Sequence, residues 1–229
     1  MSSKSSKDAA IIIPVYNEAE VIRSVINDTL KHFSYVVCVN DGSKDESAAE
    51  IRSTKAYLVE HPINMGQGAA LQTGIEFAKQ LPVKYFVTFD ADGQHRIVDA
   101  KAMLDELGTG KYDIILGSRF LGDTIGMKKS KERILKLAIK FSNFTSGVEL
   151  TDTHNGLRAF NRKVAETMQI TMPDMTHASE ILEIIAAQKY RYKEIPVTIE
   201  YTDYSRAKGQ SLINAINIAF DTILRKVSK

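Results

Sequence analysis

The stretch Tyr85-Phe86-Val87-Thr88-Phe89-Asp90-Ala91-Asp92-Gly93-Gln94-His95 decides the fold of this chain. A short run of apolar, aromatic and β-branched residues reads as a buried strand. It ends in two carboxylates spaced one residue apart, at the carboxyl end where open α/β sheets place their ligands. Side chains alternate along extended backbone, so Asp90 and Asp92 are expected on one side. Two hard oxygen donors on one side suit Mg²⁺ or Mn²⁺, ions that complete their shell with substrate phosphates and water. Asp-x-Asp also serves as an acidic turn capping a following helix; its place after a buried strand favours the metal.

Upstream, strand and helix alternate. Ala9–Ile13 reads as a strand closed by Pro14-Val15-Tyr16-Asn17-Glu18, and a helix follows over about 18–31 with Ile22, Val25 and Ile26 inward. Tyr35–Val39 is the second strand, ending in Asn40-Asp41-Gly42-Ser43, and Ala56–Val59 the third. The loop His61-Pro62-Ile63-Asn64-Met65-Gly66-Gln67-Gly68 leads into a helix over 69–80, where backbone approach to a phosphate is expected. A helix over about 97–107 and a fifth strand, 113–117, complete this half. The alternation predicts a mostly parallel sheet with helices on both faces. Three strand tips are acidic or polar (Asn17-Glu18, Asp41, Asp90/Asp92), and their convergence would form a nucleotide pocket.

The second half reads differently. Gly117-Ser118-Arg119-Phe120 ends the fifth strand on a cation, and a flexible glycine-rich segment is expected next. A helix over about 128–146 sets Ile134, Leu137, Phe141 and Phe144 on one side and Lys129, Arg133, Lys136 and Lys140 on another. Such a basic amphipathic helix suits an anionic membrane surface, or serves as an ordinary surface helix. Then come the polar loop Thr151–Arg158, a helix over 162–168, a helix opening at His177-Ala178-Ser179-Glu180, and an edge strand over 194–201 that tolerates Pro196. A closing helix to Lys229 carries the stripe Leu212, Ile216, Ala219, Phe220, Ile223 and Val227.

Size and composition fit this reading. A chain of 229 residues with 44% hydrophobic and 25% charged residues suits one soluble α/β domain. A net charge of +2 does not argue for nucleic acid as a partner. The one cysteine, Cys38, lies inside a strand pattern and reads as a reduced core residue of a cytosolic protein. Residues 1–8 lack the apolar centre of a signal peptide and read as a disordered lead-in, and no run of about 18 apolar residues is present to span a bilayer.

Taken together, these residues resemble family-2 glycosyltransferases of the GT-A fold, and within them the dolichol-phosphate mannose synthase and polyprenyl-phosphate glycosyltransferase group. The matching pieces are Pro14-x-Tyr16-Asn17-Glu18, Asp41-Gly42-Ser43, Asn64-x-Gly66-x-Gly68, Asp90-Ala91-Asp92-Gly93-Gln94-His95, Gly117-Ser118-Arg119, Asp152-x-x-x-Gly156-x-Arg158, Glu194-x-Pro196-Val197 and Arg206-x-x-Gly209-x-Ser211. The resemblance implies a single GT-A domain, with a nucleotide-sugar half over about 9–118 and an acceptor half over about 119–229. It places Pro14, Tyr16, Asn17, Glu18, Asp41, Gly42, Ser43, Asn64, Gly66, Gly68, Asp90, Ala91 and Asp92 around a GDP- or UDP-linked donor. It gives the metal, Mg²⁺ or Mn²⁺, to Asp90, Asp92 and Gln94, and implies direct displacement with inversion.

The implied acceptor is a polyprenyl phosphate at the cytoplasmic membrane face, held by Arg119, Arg133 and Arg206. If the acceptor is instead a sugar hydroxyl of a surface glycan or its lipid-linked precursor, a carboxylate base becomes useful, with Glu180 and Asp152 as candidates. Asp92 and Arg119 are the first residues expected to carry the chemistry. A nucleotidyltransferase is the reading from another class; it expects a glycine-rich basic loop after the first strand, and Pro14–Glu18 is not one. Membrane contact is expected to be peripheral, and the reading leaves room for a homo-oligomer. The sequence departs from the resembled pattern at Gln67 and Leu212, where lysine is common, and at His154-Asn155 and His177-Ala178-Ser179-Glu180.

Overall fold

The structure is a computed structural model describing residues 4–173 and 176–208. The chain opens with one helical turn, α1 (Lys4–Lys7), where a lead-in without structure was expected. Ser6 in this turn is buried, and the carbonyl of the next residue but one, Asp8, accepts the Lys84 and Tyr85 amides, which docks the segment on the sheet.

Along the chain follow β1 (Ala9–Val15), α2 (Ile22–Leu30), β2 (Tyr35–Asp41), α3 (Ser47–Arg52), β3 (Tyr57–His61), α4 (Gln67–Ala78), β4 (Tyr85–Thr88) and α5 (Ile97–Leu107). The second half holds β5 (Ile114–Ile125), α6 (Lys129–Ser146), β6 (Arg158–Asn161), α7 (Arg162–Thr167), α8 (His177–Gln188), β7 (Tyr192–Glu200) and α9 (Asp203–Lys208). All seven strands form one sheet in the order β3-β2-β1-β4-β6-β5-β7. Pairing is parallel throughout except at β6, which runs antiparallel to both β4 and β5.

The apolar residues of β1 explain why it is central. Ile11 and Ile13 face one core with Ile22 and Ile26 of α2 and Met103 and Leu104 of α5. Ala10 and Ile12 face a second core with Leu71 and Ile75 of α4, Val164 of α7, and Ile181 and Ile185 of α8. A strand covered on both faces must be apolar at every position, and β1 is buried along its whole length. Gly74 permits the approach of α4: a Cβ there would lie 2.4 Å from Ile12 Cγ2.

Two expectations change in the second half. The glycine-rich segment after Phe120 is not a flexible loop. β5 resumes its pairing with β7 after a bulge between Ser118 and Asp123, and Gly122 lies so close to Val197 that a Cβ would meet its backbone. Ala159-Phe160 belongs to the strand β6, inserted between β4 and β5. The buried side of α6 carries Ile139 and Ser142, whereas Leu137 and Phe144 of its apolar side are 71% and 89% exposed. The edge position of β7 and the exposure of Pro196 agree with the sequence pattern. The closing helix and Leu212 lie outside the described residues. Among these, no helix is long and apolar enough to cross a membrane.

Candidate functional site

The carboxyl ends of the parallel strands form the site, as the topology requires. At the tip of β1, Asn17 adopts a left-handed φ of 54°, which asparagine tolerates. Its amide donates to Ser43 Oγ at 3.0 Å and its side-chain oxygen accepts the Lys44 amide at 2.8 Å. The Glu18 amide donates to Ser47 Oγ at 2.7 Å, so the β1 and β2 tips are stitched together. Gly42 between them has φ +65°, and a Cβ there would strike the backbone of Ile63. Tyr16 stands 41% exposed beside this seam.

Asp41, at the end of β2, is buried and holds the glycine loop. Its carboxylate accepts the amides of Met65 and Gly66 at 2.8 Å each and pairs with His61 Nδ1 at 2.7 Å. His61 Nε2 reaches Thr73 Oγ1 at 2.9 Å, which fastens α4 to β3. Asn64 Oδ1 also accepts the Gly66 amide. The Gly68 amide, which the sequence offers to a phosphate, donates to the Pro173 carbonyl instead. No side chain fits at Gly68, because a Cβ would lie 2.0 Å from Met172 O.

The turn after β4 carries the two acids in different surroundings. Asp90 Oδ2 pairs with His95 Nε2 at 2.8 Å, and Oδ1 faces Gln67 Nε2 at 3.4 Å. Gly156 lies directly beneath it; a Cβ there would sit 2.4 Å from both carboxylate oxygens. Burial would raise the Asp90 pKa, but His95, with Arg158 and His177 behind it, brings it below the ordinary value. Asp92 accepts from the Gln94 amide at 3.1 Å and from Gln94 Nε2 at 2.6 Å. Burial and the neighbouring charge of Asp90 push Asp92 up to about 6, and Glu18 contributes in the same direction. Ala91 between them is buried.

This donor set suits a divalent cation. The charge of Asp90 raises the proton affinity of Asp92, and a positive charge shared between them would relieve that repulsion. Gln94 gives its amide nitrogen to Asp92, which leaves its carbonyl oxygen as a third donor. Among the described residues no cluster of three or more His, Cys, Asp or Glu side chains has ligand geometry. A two-carboxylate site relies on phosphate and water for the rest, as Mg²⁺ sites do.

At the bulge within β5 stands Arg119, only 9% exposed. Its Nε donates to Asp152 Oδ2 at 2.6 Å, Nη1 to the Tyr201 hydroxyl at 2.8 Å, and Nη2 to the His154 carbonyl at 3.1 Å. Three of the five N–H groups of the guanidinium are thus engaged within the protein. Arg158, at the start of β6, is buried with one terminal nitrogen unpartnered, within reach of the charges of Asp90 and Asp152. Burial, opposed by Asp152 and reinforced by Arg119 and Arg158, pushes His154 down to about 4, so its imidazole is neutral at pH 7.

Neither candidate base faces this space with a free carboxylate. Asp152 accepts the Arg119 amide and Nε, and the His154 amide. Glu180, at the start of α8, accepts the Thr171 amide and hydroxyl and the Met172 amide. The first-turn carboxylate of α8 therefore secures a loop.

Arg133 is exposed on α6, and Arg206 lies in α9. α9 itself is brought to the turn after β1 by Tyr204, whose hydroxyl donates to Glu18 at 2.6 Å. Three positions of this site escaped sequence reasoning. Glu194 holds the Asp152 loop through the Thr151 and Asp152 amides, and its place in the Glu-x-Pro-Val motif could have marked it. His95 clamps Asp90. Lys131 of α6 stacks over Tyr201 at 4.6 Å from the ring centroid; it heads the buried helical stripe, the pattern that singles it out.

The sequence pattern defining the family described as Glycosyl transferase family 2 matches residues 10–168. The chain is 28% identical over 242 residues to a UDP-N-acetylglucosamine–dolichyl-phosphate N-acetylglucosaminyltransferase of Methanococcus voltae, covering 96% of each chain. It is 27% identical over 220 residues to a polyprenol monophosphomannose synthase of Mycolicibacterium smegmatis, covering 91% of this chain and 82% of the relative. The structure resembles glucosyl-3-phosphoglycerate synthase from Mycobacterium tuberculosis, solved with Mn²⁺, UDP and glucosyl-3-phosphoglycerate. The TM-score is 0.72 at 14% identity, over 98% of this chain and 80% of the other.

Proposed function

This chain belongs to glycosyl transferase family 2, and on that premise we propose that it moves a hexose from a GDP- or UDP-linked donor to a polyprenyl phosphate. The observation that carries the choice of acceptor is the engagement of both candidate bases, Asp152 and Glu180, in hydrogen bonds of the fold. A sugar hydroxyl needs a base to take its proton in the transition state. A phosphate monoester is already an anion at neutral pH and needs only to be held. The relatives named for dolichyl and polyprenol phosphate support the same acceptor class.

In this reading Glu18, Asp41 and the glycine loop hold the nucleoside, and Asp90, Asp92 and Gln94 hold Mg²⁺ or Mn²⁺ on the diphosphate. A divalent ion there would neutralise charge on the departing nucleoside diphosphate. Structural neighbours solved with Mn²⁺ or Mg²⁺ support that assignment for the fold. Arg119 holds the acceptor phosphate through its two remaining N–H groups, in a direction set by Asp152 and Tyr201. The acceptor oxygen bonds to the anomeric carbon as the bond to the diphosphate oxygen breaks on the opposite face, which inverts the centre. No proton is transferred, so positioning and charge account for the catalysis.

A lipid acceptor calls for contact with a membrane surface, and we assign this to α6 at the cytoplasmic face. Its exposed Leu137 and Phe144 are accompanied by exposed Lys129, Arg133, Lys136 and Lys140.

The decisive experiment is transfer from a panel of radiolabelled nucleotide sugars to a short-chain polyprenyl phosphate, with Mn²⁺ or with EDTA. The expected result is a lipid product that EDTA abolishes and Asp92→Ala reduces at least ~100-fold. Slow donor hydrolysis without labelled lipid would move the assignment to a hydroxyl acceptor.

A further inference from the structure

The basic residues of α6 fall into two sets. Lys129, Arg133, Lys136 and Lys140 are exposed, whereas Lys131 is half-buried, in line with the inward positions Leu135, Ala138, Ile139 and Ser142. Its ammonium lies over the ring of Tyr201, 4.6 Å from the centroid. That ring is 6% exposed, and its hydroxyl accepts the Nη1 hydrogen of Arg119 at 2.8 Å. Tyr201 therefore carries one cation on its face and another at its hydroxyl.

The two cations differ in their counter-charge. Arg119 has Asp152 at 2.6 Å, whereas among the described residues Lys131 has no carboxylate at ion-pair distance. Burial and the repulsion of Arg119 weaken its hold on its proton, and the more remote Asp92 strengthens it. A half-buried ammonium brought up to a guanidinium costs free energy unless an anion joins them. The ring supplies only a modest attraction in compensation.

We infer that Lys131 is a phosphate-contacting residue. Its ammonium and the two remaining N–H groups of Arg119 form a cationic wall that takes a phosphoryl group beside Asp92. Lysine serves here as a compact point charge, and no bond to it is made or broken. The inference deepens the glycosyl-transfer reading and rests on it for the source of the phosphate: the acceptor monoester or the departing diphosphate.

The test measures binding, which does not depend on turnover. The full chain, Lys131→Met and Lys131→Arg are each titrated with farnesyl phosphate and, separately, with UDP and GDP in the presence of Mn²⁺. Methionine keeps the apolar stem over Tyr201 and removes the charge, and thermal melting monitors the fold. The expected result is a loss of about tenfold or more for one ligand in Lys131→Met, largely restored in Lys131→Arg. A loss confined to farnesyl phosphate assigns Lys131 to the acceptor; one confined to the nucleotide assigns it to the leaving group. Unchanged affinity for all ligands, or equal losses in the methionine and arginine variants, would overturn the inference. If the wild type binds nucleotide in a Lys131-dependent way yet transfers no sugar to a polyprenyl phosphate, the acceptor assignment fails and Lys131 keeps its role.

Discussion

Tyr204 and Glu18 meet at 2.6 Å although 186 positions separate them in the chain. The contact fastens α9, at the end of the described chain, to the turn that follows β1. A partly buried hydrogen bond to a carboxylate contributes roughly 1.5–3 kcal/mol. Tyr204→Phe should therefore speed amide hydrogen exchange in α9 by about tenfold or more while the β1 amides keep their protection. Unchanged exchange in α9 would show that other contacts hold it.

Gly156 and Gly110 make a matched pair. A methyl group at Gly156 would overlap both oxygens of Asp90, whereas at Gly110, with φ +73°, nothing lies within 4 Å. Gly156→Ala should lower kcat/KM at least ~100-fold by displacing Asp90 from its place. Gly110→Ala should cost about 1 kcal/mol of stability through backbone strain and leave turnover unchanged. Comparable activity of the two variants would contradict the geometry.

Asp113 supplies a pH prediction. Hydrogen bonds from the Arg191 guanidinium outweigh burial and hold its carboxyl well below the ordinary value, and Asn161 adds another. A carboxyl whose pKa is lower in the folded state contributes stability above its unfolded value near 3.9. That contribution is lost as pH falls through the folded value. Arg191→Met should lower Tm at pH 7, and the gap to wild type should close progressively below about pH 4. A gap independent of pH would mean that packing, not the ion pair, is what the substitution removes.

The exposed ridge of α6 makes the membrane assignment measurable. Burying an apolar side chain the size of Phe144 is worth about 1.5–3 kcal/mol. Phe144→Ser, and separately the reversal of Lys129, Lys136 and Lys140 to Glu, should each reduce co-sedimentation with anionic vesicles. The charge-reversal effect should shrink as salt is raised, whereas the Phe144→Ser effect should persist. Wild-type levels of binding in both variants would remove α6 from the interface.

The parallel half of the sheet was legible because its strands are covered on both faces and so read as unbroken apolar runs. β6 escaped because it has only four residues, Arg158-Ala-Phe-Asn, and begins with a charge. Its pairing depends on partners distant in sequence, which no local pattern reports. On α6 the pattern left the buried face open, because the helix has more apolar residues than its buried side can take. The acids after β4 were legible from their spacing together with their place at the end of a buried strand. The engagement of Asp152 and Glu180 was not, since whether a carboxylate is free depends on which amides the fold brings to it.

The reversed strand β6 also determines a width. β4 and β5 are not neighbours; they stand two strand spacings apart, about 10 Å. The acid-bearing end of β4 and the cation-bearing bulge of β5 thus flank a slot one strand wide, and Gly156, just ahead of β6, lies at its base against Asp90. Backbone pairing fixes the clearance of that slot, so exchanging side chains on its rims retunes charge without altering span. A change in that span would require remodelling the 152–158 loop in length, which makes that loop the natural place to insert or delete residues.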